Sequence, residues 1–100
     1  MKSSDDILDG DITAAANLMK LLASEARLQI LCRLLDGERS VGDLAQACGV
    51  SQPTMSQQLT RLRKAGLVEG RRAGQTVYYR VTGTEAAAVL ETLHGLYCAR

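Results

Sequence analysis

Apolar residues recur at helical spacing along most of this chain, and the period changes to that of a strand only once. Ile12, Ala15, Ala16, Met19 and Leu22 mark a first helix over 12–22, with Asp11 placed to cap it. Residues 1–10 read as a flexible tail ahead of a folded unit over 11–100. Ser24 opens a second helix, EARLQILCRLLD, which ends near Gly37. Its Leu28, Leu31, Cys32 and Leu35 share one face, while Ile30 and Leu34 fall on the other. A helix that is apolar on two sides packs against more than one neighbour, so this one is expected at the centre.

The stretch from Ser40 to Leu67 carries two shorter helical patterns. Ser40 with Asp43 resembles a capping box, with Asp in place of the usual Glu or Gln, and opens a helix over 41–47. Cys48-Gly49-Val50 is the turn. Ser51 then caps a second helix, Pro53 sits in its first turn where a missing donor costs little, and Gly66 closes it. Met55, Leu59 and Leu62 form its apolar stripe. Two helices across a tight glycine turn read as a helix-turn-helix, whose second helix enters a DNA major groove, or as an ordinary αα-hairpin. The polar face of the second helix decides between these readings.

After Gly66 the period falls to two. LVEGRR and TVYYRV are β-prone runs joined by Ala73-Gly74-Gln75, with Val77, Tyr79 and Val81 on one face and Tyr78 and Arg80 on the other. Thr82 with Glu85, or Thr84 itself, caps a last helix, EAAAVLETLHGLYCA. Its stripe of Ala86, Val89, Leu90, Leu93, Leu96 and Tyr97 is broader than one small core needs. One hundred residues make a small core, so pairing two copies through the first and last helices adds burial. The expectation is a mainly α (α+β) winged helix-turn-helix. Four helices precede two strands and a final helix, and the chain forms a homodimer.

Charge sharpens this picture. The net charge is only +1, but from Ser51 to Thr82 six cations (Arg61, Arg63, Lys64, Arg71, Arg72 and Arg80) face one carboxylate, Glu69. The remainder of the chain is acidic. A basic segment on an otherwise acidic protein is the footprint of a local DNA-binding face. With Met55, Leu59 and Leu62 inward, Thr54, Gln57, Arg61 and Lys64 face outward, flanked by Gln52 and Ser56. Gln pairs bidentately with adenine, and Ser or Thr donates to bases or phosphates. Gln52, Thr54, Ser56 and Gln57 are therefore the candidates for specificity, Arg61 and Lys64 for phosphates, and Arg71, Arg72 and Gln75 for backbone or minor groove. The helix contains no acidic residue, whereas a merely solvated helix would carry Glu/Lys pairs.

Other classes fit poorly. No apolar run approaches the roughly 20 residues of a membrane span, and MKSSDDILDGD lacks a signal-peptide core. A cytoplasmic protein with reduced cysteines is expected. No nucleophile–base pair or Gly-rich phosphate loop points to an enzyme, and no cofactor is implied.

The chain resembles the ArsR-type winged-helix repressors over about 14–98. The residues that carry the likeness are LLASEARLQILCRLLDGERSVGDLAQACGVSQPTMSQQLTRLRKAGLV and GRRAGQTVYYRV. The resemblance implies a homodimeric sensor, joined by its first and last helices, that leaves an inverted-repeat operator when an inducer acts on it. Many members sense metals through cysteines at the start of the first helix of the pair, but here that stretch is Ser40-Val41-Gly42-Asp43. The narrower likeness is to the dithiol branch of BigR-like and HlyU-like regulators, with one cysteine in RLQILC and one in a terminal L-x-x-L-Y-C; Cys32 and Cys98 stand there. That branch implies bridging of the two thiols, as a disulfide or polysulfide, by reactive sulfur species or oxidants. Cys48 reads as core filler. The alternatives are a zinc-type sensor using Glu91, His94 and Cys98, which share one helical face, and an anti-repressor that competes for DNA.

Overall fold

The computed structural model describes residues 11–98, and the tail expected over 1–10 lies outside them. In chain order come helices α1 (Asp11–Leu22) and α2 (Glu25–Leu34), strand β1 (Arg39–Ser40), helices α3 (Val41–Cys48) and α4 (Gln52–Lys64), strands β2 (Val68–Ala73) and β3 (Thr76–Val81), and helix α5 (Thr84–Tyr97).

The core is aliphatic. Ile30, Leu31 and Leu34 of α2 meet Leu44 and Ala45 of α3, Met55, Leu59 and Leu62 of α4, and Ala86 and Leu90 of α5, all buried. Leu28, Cys32 and Leu35 pack against this cluster from the other side of α2. The two-sided apolar pattern of α2 thus yields a central helix, as expected. Serine caps set the helix starts: Ser24 Oγ accepts from Arg27 N–H at 3.3 Å, Ser40 Oγ from Asp43 N–H at 3.0 Å, and Ser51 Oγ from Thr54 N–H at 3.2 Å. Only half of the expected capping box forms: among the described residues no bond returns from the Asp43 carboxylate. Gly49, at φ +71°, makes the turn between α3 and α4, a backbone state that costs a side-chain-bearing residue strain.

β2 and β3 form the expected hairpin, with Ala73 opposite Thr76 across the Gly74-Gln75 turn. Of the face shared by Val77, Tyr79 and Val81, Tyr79 and Val81 pack on the core. The sheet has a third strand that the sequence did not announce. β1 pairs antiparallel with β3 (Arg39 opposite Tyr79, Ser40 opposite Tyr78), giving the order β1-β3-β2. Two residues are too few to display an alternation, so only tertiary pairing makes them a strand.

Two local expectations need correction. Asp11 is the first residue of α1 rather than its cap. The α5 cap is Gly83, which has no side chain to bond, so neither Thr82, one residue earlier, nor Thr84, the first helical residue, serves as the cap; the Thr82 hydroxyl donates to the Gly66 carbonyl at 3.1 Å. With Thr82 N–H donating to Leu67 O at 2.8 Å, this ties the end of the hairpin to the end of α4. The α1 stripe, expected to help join two copies, is mostly not a core face. Leu22 is buried and Leu18 and Leu21 pack against the core, but Ile12, Ala15, Ala16 and Met19 are exposed. A helix with two apolar faces satisfies one internally and leaves the other outward.

Candidate DNA interface and thiol cleft

Helix α4 presents its polar residues because its apolar ones are consumed by the core. Met55, Leu59 and Leu62 are buried, while Gln52, Thr54, Ser56, Gln57, Arg61 and Lys64 are exposed. The helix turn divides these six among three places. Gln57, Arg61 and Lys64 lie on the outward line. Gln52 and Ser56 face the hairpin, where they line a polar notch with Ser40, Gln75 and Thr76. Gln52 reaches back over α3, so that a Cβ on Gly42 would lie 3.4 Å from its Nε2. Thr54 lies on the far edge, in a groove shared with Glu25 and Gln29 of the α2 start, and its Oγ1 accepts from the Ser51 hydroxyl at 3.0 Å. The cap thus takes one lone pair of Thr54 Oγ1 and leaves its hydroxyl proton free to donate.

The cations are less uniformly available than a count suggests. Arg71 is held by Glu38, with Nε 3.3 and 3.2 Å from the two carboxylate oxygens and a terminal nitrogen 2.8 Å from Oε1. Its guanidinium also lies 5.1 Å from the Tyr78 ring centroid, a cation–π distance. The hydrogen bonds with Arg71 draw the Glu38 carboxyl below its usual range, and Glu38 raises Arg71 in turn. Arg80 is paired with Glu69, whose Oε2 accepts from Arg80 Nε at 2.6 Å. Arg61, Arg63, Lys64 and Arg72 have no salt bridge among the described residues. Of the hairpin residues, Arg72 and Gln75 are exposed, whereas Arg71 is engaged by Glu38. Arg63 was overlooked as a phosphate candidate; standing seven residues after Ser56, it falls on the same helical edge, which spacing alone could have revealed.

The thiols lie elsewhere. Cys32, half-buried on α2, and Cys98, exposed at the end of α5, line one cleft of about 320 Å³ with Leu28, Gln29, Arg33, Leu93, His94 and Tyr97. All three cysteines are unbridged. Burial pushes the Cys32 thiol above the ordinary cysteine range, the charge of Cys98 adds to the rise, and Arg33 opposes both without prevailing. The Arg33 guanidinium itself donates to the Gln29 and Ala47 carbonyls at 3.2 and 3.4 Å. Cys48 packs at the core edge, consistent with filler. Among the described residues no three His, Cys, Asp or Glu side chains come together as a metal centre would. Glu91, His94 and Cys98 share a helical face without converging, and Glu91 does not line the cleft. No described helix is long and apolar enough to cross a membrane.

Residues 24–70 match the model of the arsR family of bacterial regulatory proteins. The transcriptional activator HlyU of Vibrio cholerae is 51% identical over 84 residues, which span 84% of this chain and 78% of that protein. The structure of its reduced form superposes with a TM-score of 0.81 at 49% identity, covering 86% of this chain and 92% of the other. The transcriptional repressor BigR of Xylella fastidiosa gives a TM-score of 0.86 at 40% identity, covering 99% and 100%. A homodimeric winged helix-turn-helix DNA-binding domain from Mycobacterium bovis gives 0.75 at 36% identity, covering 96% and 89%.

Proposed function

This chain belongs to the arsR family of bacterial regulatory proteins, and we propose from that premise that it is a homodimeric repressor that leaves its operator when reactive sulfur species or an oxidant bridges Cys32 and Cys98. As a transcriptional regulator of that family it acts by binding DNA rather than by catalysis. The observation that most favours the thiol switch is that two cysteines from distant parts of the chain line one cleft, unbridged and partly open to solvent.

The chemistry balances without a cofactor. With peroxide, one thiolate attacks an oxygen and expels hydroxide, leaving a sulfenic acid; the second thiol attacks that sulfur and water departs, so the two thiols lose two electrons to the peroxide. With an organic trisulfide, each thiolate in turn displaces one alkanethiolate from the central sulfur, which remains between the cysteines. A direct bridge needs Cα atoms within about 4.4–6.8 Å, and an inserted sulfur relaxes that demand. Either bridge ties α5 to the central helix α2, on which α3 and α4 pack. Two recognition helices must sit roughly 34–36 Å apart to read adjacent half-sites, and a tie across the helices that join the protomers alters that spacing.

The dimer reading rests on exposed apolar side chains of the first and last helices: Ile12 at 44%, Met19 at 56%, Leu96 at 72% and Tyr97 at 81%. Such a surface on a small protein marks an interaction site. On α4, Gln52, Ser56 and Gln57 are assigned to bases, with Thr54 offering its proton, and Arg61, Arg63, Lys64 and Arg72 to phosphates. A second reading, displacement of another repressor from shared DNA, draws support from the name of the HlyU relative as an activator.

The test is intact mass spectrometry after exposure to persulfide, peroxide or zinc, paired with DNA binding on the same samples. Loss of binding with a mass change equal to a disulfide or to whole added sulfur atoms is expected. Cys32→Ser and Cys98→Ser should each bind DNA and fail to release it. Normal release by either variant, or release by zinc alone, overturns the two-thiol switch.

A further inference from the structure

Two carboxylates lie against the outer face of the hairpin, and each holds an arginine. Glu38, which precedes β1, grips Arg71 of β2 through both of its oxygens, and Glu69 grips Arg80 within the hairpin itself. The Glu38 contact differs in kind. It joins positions 33 residues apart, and it uses the planar fork by which a guanidinium also takes a phosphate. Arg71 lies opposite Tyr78, three residues before the Gly74 turn, so its Cα is roughly 10 Å along the strand from the tip. A duplex engaged by the tip and lying along this face would pass its backbone over that side chain. The Tyr78 ring, with the guanidinium 5.1 Å from its centroid, would support the side chain whichever anion it holds.

We propose that Glu38 serves as an internal stand-in for a DNA phosphate: it keeps Arg71 extended and preorganised on the hairpin face, and duplex binding exchanges the carboxylate for a backbone phosphate. The inference rests on the DNA-binding reading above and makes Glu38 a determinant of affinity. The pair is suited to exchange rather than to structure. Arg71 is 57% exposed and Glu38 32%, and the handover of a solvated guanidinium between two anions is a small step. A glutamate carboxyl is anionic at neutral pH, and Arg71 draws that of Glu38 lower still, so the anion is present in the unbound protein. The design holds back affinity for any duplex, since each binding event must first displace the carboxylate. It thereby lowers sequence-independent attraction relative to the base contacts of α4.

The experiment is a double-mutant cycle on a short mixed-sequence duplex, titrated at several salt concentrations, with full-length wild type, Glu38→Gln, Arg71→Gln and the double variant. Wild type should bind with a steep inverse dependence on salt; absence of salt-dependent binding by wild type defeats the DNA-binding reading itself. Given that binding, Glu38→Gln should be roughly two- to five-fold tighter than wild type, the effect expected for removing one exposed competing partner. Arg71→Gln should be weaker, with the slope of log affinity against log salt reduced by about 0.9, one phosphate contact. In the Arg71→Gln background the Glu38 substitution should have no further effect. Unchanged or weakened binding by Glu38→Gln overturns the exchange. So does an equal tightening with and without Arg71, which would make Glu38 a general repulsive charge.

Discussion

Cys98 shares its cleft with Cys32 and contributes to holding the Cys32 thiol above the ordinary cysteine range. The two are not equivalent partners, since Cys32 is half-buried and Cys98 exposed. Desolvation on α2 is the larger cause and the charge of Cys98 the next, while Arg33 pulls the other way. A thiol that resists ionisation is a poor initial nucleophile, since the thiolate is the reactive form. The asymmetry points to Cys32 as the second reactant, the one that resolves an adduct rather than forming it.

Alkylation mapped by mass spectrometry across a pH series should show this. Cys32 should label more slowly at neutral pH in the folded protein than after unfolding, and its rate should climb over a pH range above that of an ordinary thiol. Cys98→Ser removes one of the two raising influences, so Cys32 in that variant should label faster than in wild type. The linkage sign follows from the same shift. A group whose folded-state value is raised favours folding while it is protonated, so this contribution is present at neutral pH and lost as pH rises through the raised value. Equal labelling profiles for Cys32 in the folded and unfolded chain would contradict the assignment.

Gln57 tests the base-reading face. It is exposed on the outward line of α4, opposite Met55, Leu59 and Leu62, and makes no side-chain hydrogen bond among the described residues, so its amide is available to an adenine edge. Gln57→Ala should cost about 1–3 kcal/mol on the preferred duplex and narrow the preference over mixed-sequence DNA. A phosphate residue behaves otherwise: Lys64→Gln should weaken all duplexes alike and flatten the salt slope by about 0.9. Competition binding at fixed salt separates the two patterns.

How far the chain could be read in advance depended on whether the cause was local. Caps at Ser24, Ser40 and Ser51, the turn at Gly49 and the stripe of α4 act within a few residues, so spacing was enough to find them. The Gly74 hairpin was legible for the same reason. What escaped depends on distant partners. β1 exists because β3 lies beside it. Thr82 stands one residue before the α5 cap, its hydroxyl on a carbonyl 16 residues away. Arg71 looked like an available cation because nothing near it in sequence reveals Glu38. The apolar stripe of α1 was visible, but a stripe carries no label saying whether it faces its own core or another molecule. The proximity of Cys32 and Cys98 came from the family likeness and not from their spacing, and the shared cleft supplies the geometry that spacing could not.

Leu96 separates the dimer from the fold. It is 72% exposed, so replacing it removes little from the protomer core, and Glu is tolerated in a helix about as well as Leu. Leu96→Glu should leave the helical circular dichroism intact while shifting sedimentation at micromolar concentration from dimer toward monomer. Binding to an inverted repeat should fall much more than binding to a single half-site, because the loss is of the linkage between two reading heads rather than of either head. A variant that stays dimeric would move the interface away from the α5 face.

Leu59 makes the opposite case, a residue of the reading helix whose role is wholly internal. It is fully buried, on the side of α4 that meets the core formed by α2, α3 and α5. Leu59→Ala removes its packing and leaves a void that the surrounding helices can close only in part, which costs about 2–5 kcal/mol. For a small protein whose total stability is of order 5–15 kcal/mol, that is a large share. Leu59→Met conserves most of the volume and should cost less than about 1.5 kcal/mol. Urea titrations should therefore give a midpoint much lower for Ala than for Met, with an unchanged slope. In buffer, the DNA affinity of Leu59→Ala should fall only in proportion to the unfolded fraction, since no base or phosphate contact is lost. A drop in affinity at full folding would mean that the position of α4 on the core, and not its surface alone, sets how the groove is read.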